Sequence, residues 1–120
     1  MEKNLRIAGI MTFVMGALYF PNVLGILWGL KPAPLGLMWS GIQILFGVIL
    51  STKDFLSLRI HTLLINFLYH LIWGFLIIDY LITYPDLLVG HYFYLLHLII
   101  SIYSGWYYFK YRVLVNECER

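Results

Sequence analysis

Apolar residues gather into four long stretches, at about 7–27, 35–51, 60–82 and 87–109, parted by short polar breaks. A helix needs roughly 20 mostly apolar residues to cross the hydrocarbon of a bilayer. The pattern therefore predicts an all-α polytopic membrane protein, with four transmembrane helices in an antiparallel bundle. The whole chain, 1–120, reads as one transmembrane domain.

The breaks carry the chemistry of turns and caps. Pro21 and Asn22 interrupt the first stretch, and a proline kink is tolerated in a membrane helix. A kinked span is expected there rather than a helix ending at Phe20. Lys31, Pro32, Ala33 and Pro34 form the first outer loop, with Pro34 suited to the first turn of the second helix. Asp54 is the expected N-cap of the third helix, and Asp86 of the fourth. Residues 110–120 read as a tail of mixed charge lying at the membrane surface.

Charge sets the expected orientation. Of the 8 basic residues, all but Lys31 fall before the first stretch, between the second and third, or after the fourth. That bias places both termini in the cytoplasm, most simply across a plasma membrane. Lys3 and Arg6 ahead of an apolar run resemble the start of a signal peptide. The run lacks a small-x-small cleavage site, so a retained span is expected.

Composition narrows the classes further. Only 12% of residues are charged and mean hydropathy is +0.83, against about a quarter charged in soluble domains. The net charge of +2 comes from the polar flanks and gives no reason to expect nucleic acid as a partner. Cys118 is the only cysteine, so paired-thiol redox chemistry within the chain is excluded. The first stretch holds no carboxylate of the kind that four-span proton-coupled exporters require. No P-loop, Ser/His/Asp arrangement or HExxH motif occurs, and no enzymatic activity is expected.

Trp28, Trp39, Tyr80, Tyr84, Tyr92 and Tyr94 would form an outer aromatic belt, and Tyr103, Trp106, Tyr107, Tyr108 and Tyr111 an inner one. A faint repeat at an offset of 58 residues carries Gly16 onto Gly74 and Gly47 onto Gly105. It suggests two parallel helical hairpins.

Polar residues inside the stretches are the candidate functional groups, because hydrocarbon penalises them. Gln43, His70 and His97 each stand within one residue of the centre of a stretch. Helical spacing extends them into one face on each helix: Gly9, Thr12 and Gly16; Gly36, Ser40, Gln43 and Gly47; Thr62, Asn66, Tyr69, His70, Trp73 and Gly74; Gly90, Tyr94, His97, Ser101, Ser104 and Gly105. One reading is packing, with small residues permitting close approach and polar ones bonding across helices. Gln43, Asn66 and Ser101 then belong to a polar seam.

A second reading makes His70 and His97 a cofactor site for a haem, a metal ion or a quinone. The third is a channel or transporter for a small neutral solute, lined by the seam. The leading expectation is a small accessory or structural subunit of a larger membrane complex, or a self-associating protein. Its partners would be the lipid bilayer and other membrane subunits.

Overall fold

A computed structural model describes residues 1–18, 34–83 and 88–118, and these are helical apart from Met1 and the short 52–55 link. Four helices follow in order: α1 Glu2–Leu18, α2 Pro34–Ser51, α3 Leu56–Thr83 and α4 Leu88–Cys118. Among the described residues there is no strand. The chain is all-α. Among the same residues, no helix is long and apolar enough to cross a membrane.

The helix ends depart from expectation in three places. α1 begins at Glu2 rather than near residue 7, and α4 runs on to Cys118 rather than stopping near 109. Neither extension holds a glycine or proline before the next stretch, so nothing in the local chemistry halts the helix where apolarity falls. Asp54 does not cap α3. It lies in the bend before it, and the chain enters the helix through Phe55, whose φ of 60° is left-handed. Pro21, the first outer loop up to Ala33, and Asp86 lie outside the described residues, as do Trp28 and Tyr84.

The chain divides into two compact units, Met1–Arg59 and Ile60–Arg120. In the first, α1 and α2 pack antiparallel, since Gly9 meets Gly47 and Leu50 while Gly16 meets Gln43 and Ile44. A Cβ on Gly47 would lie 2.7 Å from the Phe13 backbone nitrogen and 2.8 Å from the Gly9 carbonyl oxygen. Only glycine allows this crossing. Ser40 Oγ donates to the Gly16 carbonyl at 2.5 Å, tying the other end of the pair.

One cation closes this unit. Arg59 is fully buried, and its Nη1 and Nη2 each donate to a carboxylate oxygen of Glu2 at 2.8 Å. Its Nε and Nη2 also donate to the Leu50 carbonyl at 3.1 and 2.9 Å. Leu50 is in the last turn of α2, where carbonyls have no partner within their own helix. Arg59 thus caps α2 while gripping the first turn of α1 by a two-pronged, charge-assisted contact. The charge count treats Arg59 as a surface marker; the structure makes it an internal clamp.

In the second unit, α4 returns antiparallel against α3. Gly74 faces Leu98, and a Cβ on Gly105 would meet the Phe67 ring at 2.7 Å. The 58-residue offset reappears in burial. Leu5, Ala8 and Thr12 are 0% exposed, and so are their counterparts Leu63, Asn66 and His70.

Candidate functional site

The seam between α3 and α4 is polar along three successive turns. Asn66 Nδ2 donates to Ser104 Oγ at 2.9 Å, and Ser101 Oγ donates to the Phe67 carbonyl at 3.0 Å. One turn further on, His70 Nδ1 and His97 Nδ1 stand 2.7 Å apart. Asn66, His70, His97, Ser101 and Ser104 are all fully buried. The spacing follows from the sequence: 66 and 70 stack on one face of α3, while 97, 101 and 104 stack on one face of α4.

A 2.7 Å separation between two imidazole nitrogens is a hydrogen bond, and it dictates proton placement. One ring carries its proton on Nδ1 and donates; the other leaves Nδ1 bare and accepts. The two histidines are therefore opposite in tautomer.

The surroundings are aromatic. Tyr69 meets the His70 ring edge-on at 5.3 Å, and Trp73 lies stacked near His97 at 6.5 Å. His70 Nε2 is buried with no hydrogen-bond partner.

These distances bear on what the pair can hold. A metal bound by both Nδ1 atoms would sit about 2.0–2.1 Å from each, so a tetrahedral site would part them by well over 3 Å. A haem iron between two axial imidazoles needs still more room. At 2.7 Å the two nitrogens engage one another. His70 Nε2 is the nitrogen left to meet a ligand. Among the described residues, no group of three or more His, Cys, Asp or Glu side chains could hold a metal ion.

Gln43 belongs to the other unit. It is buried against Gly16, and its Oε1 finds no hydrogen-bond partner. Thr12 and Ser40 are also buried in the α1–α2 pair, each donating to a backbone carbonyl. His61 and Asp79 are exposed. The side chains of His91, Tyr80, Tyr92 and Tyr94 lie outside the described set.

Sequence reasoning missed Glu2 and Arg59, although a signal for both was present. Arg59 stands one turn before Thr62 on the α3 stripe, and Glu2 two turns before Gly9 on that of α1. Extending the α3 stripe by one turn and the α1 stripe by two reaches the clamp. No family model matches this chain, and neither a curated protein nor a solved structure is detectably similar to it.

Proposed function

We propose that this chain is a small integral membrane protein that works by lateral packing, as an accessory subunit of a larger membrane complex. Its four helices would cross the bilayer as an antiparallel bundle, with both termini on the cytoplasmic side of the plasma membrane. One observation carries the reading: the described side chains are sorted inside out. Thr12, Ser40, Gln43, Asn66, His70, His97, Ser101 and Ser104 are buried. Large apolar side chains cover the outside, among them Ile10 at 53% exposure, Leu45 at 54%, Phe75 at 62% and Ile102 at 69%. Water would punish that distribution; lipid demands it.

Length is no obstacle for α3 and α4, at 28 and 31 residues. The seam residues Asn66, His70, His97, Ser101 and Ser104, all buried, lower the average apolarity of these helices together with charged residues such as Arg59, Asp79, Lys110 and Arg112. The first apolar stretch also continues to residue 27, beyond the described residues.

The mutual bond of His70 and His97 favours packing over a redox role, since each ring already occupies one nitrogen of the other. The apolar outer faces favour a partner within the membrane.

The test is extraction of native membranes, first with alkaline carbonate and then with a mild detergent. Retention through carbonate, followed by migration with other membrane proteins in a native gel, is the expected result. Release by carbonate would sink the membrane reading. Retention with migration as a lone chain would sink the subunit reading alone.

A further inference from the structure

The outer face of α4 carries an open groove of about 370 Å³, walled by Ile99, Ile102, Tyr103, Trp106 and Tyr107. It falls within the roughly 300–1,000 Å³ usual for small-ligand sites. Its outer wall is greasy and uncovered, with Ile102 and Trp106 69% and 70% exposed. Its end is different. Tyr103, Tyr107 and Tyr111 form a continuous ring ladder, with centroids 4.7 and 5.4 Å apart. Lys110 Nζ sits 5.8 Å over the Tyr107 ring.

Spacing puts this cation in line with the groove. Residues 99, 103, 106 and 110 follow one another at three- and four-residue steps, so they share a face of the helix. The groove thus runs from aliphatic through aromatic to cationic within three turns. Lys110 is exposed and offers up to three N–H donors, and the next acidic residue along α4, Glu117, is seven positions on.

We propose that this groove binds one anionic phospholipid, with an acyl chain along Ile99, Ile102 and Trp106 and the phosphate met by Lys110. The inference rests on the membrane reading above. Charge selects the occupant. A neutral zwitterionic lipid would fill the apolar length equally well but would set its own ammonium group beside Lys110. The lysine stem packs along the aromatic wall while its head stays at the headgroup level, the usual posture of lysine near a membrane surface.

The experiment uses the full chain in vesicles of phosphatidylcholine mixed with phosphatidylglycerol of matched acyl chains. Native mass spectrometry after gentle release counts the lipids retained. The expected result is a retained phosphatidylglycerol that Lys110→Gln weakens about fivefold, the usual worth of one basic residue at an anionic surface. Trp106→Ala lowers retention of this lipid through the acyl wall, with Lys110 still present. Arg112→Gln is the control, because Arg112 lies over Phe109 on another side of the helix.

Equal losses from Lys110→Gln and Arg112→Gln would mean diffuse charge attraction and overturn the site. So would retention without preference for the anionic lipid. Failure to insert into the vesicles would instead overturn the membrane reading. The two failures are distinct.

Discussion

His70 and His97 are each other's hydrogen-bond partner, Nδ1 to Nδ1 at 2.7 Å, across the middle of the α3–α4 seam. If their task is to hold that seam, losing one should hurt more than losing both. His97→Leu strands a buried nitrogen on His70 and should cost about 0.6–2 kcal/mol. His70→Leu/His97→Leu removes the need along with the bond and should recover most of that loss. Unfolding in detergent, followed by circular dichroism, measures the cycle. A double variant weaker than the sum of the singles would show that the pair does more than bond to itself.

Gly47 and Gly41 lie six positions apart on α2 and should respond in opposite ways. Gly47→Ala drives a methyl against the backbone of Phe13 and Gly9, with a cost of about 1–3 kcal/mol. Gly41 has nothing within 4 Å of an added Cβ, and Gly41→Ala should leave stability within about half a kcal/mol or raise it. The same unfolding assay reads both. Equal effects would mean that the α1–α2 crossing is looser than drawn.

The Glu2–Arg59 contact is lopsided, with the arginine side chain 1% exposed and the glutamate side chain 49%. Glu2→Gln removes a counter-charge that solvent already screens and leaves an amide oxygen able to accept from the guanidinium, so it should cost about 1 kcal/mol or less. Arg59→Met lets Glu2 return to water and mainly orphans the Leu50 carbonyl, at about 1–2 kcal/mol. The variant that removes the buried partner should therefore be the worse of the two. The reverse order in a denaturant titration would refute this account of the clamp.

Acid should open the same contact. The hydrogen bond from Arg59 holds the Glu2 carboxyl below its ordinary 4.5; desolvation works against this, and the charges of Arg59 and Arg6 assist it. A depressed carboxyl contributes its stability in full above the ordinary value and loses it as pH falls through the lowered one. Wild-type stability should decline on that acid side. The Arg59→Met profile should be flatter by the Glu2 contribution. Parallel profiles would remove Glu2 from the explanation.

Phe55 adopts φ 60° while 74% exposed, so its side chain gains little in return for a backbone conformation that glycine and asparagine adopt more easily. Phe55→Asn should raise stability by about 1 kcal/mol. A loss would mean that the phenyl ring has a partner that the isolated chain lacks.

The stripes were readable in advance because polar and small residues are scarce in these stretches, and their helical spacing leaves few choices of face. Asn66, His70, His97, Ser101 and Ser104 needed only that period to be grouped. The division into two halves was hinted at by the glycine repeat, and the unit boundary falls after Arg59, one residue beyond its 58-residue offset. Helix ends were less legible. Apolarity marks where a span would stop, whereas the backbone continues until a breaker or a bend intervenes, as α4 does to Cys118. Arg59 was misplaced because counting basic residues as surface markers assigns each one to solvent, and a buried pair with a residue 57 positions away leaves no local trace. The 2.7 Å contact between the histidines needed coordinates: matching depth suggests neighbours, but only geometry separates a bond from a gap.

The clamp also imposes an order of events on a growing chain. Glu2 emerges from the ribosome first, and α1 and α2 are both complete before residue 59 has been added. Until then the final turn of α2 lacks its guanidinium cap, and the first helical pair waits unlatched. Arg59 must leave the ribosome before the first two helices are fastened, so a pause that holds residue 59 inside the exit tunnel after α2 has emerged would prolong the one interval in which they can still be separated.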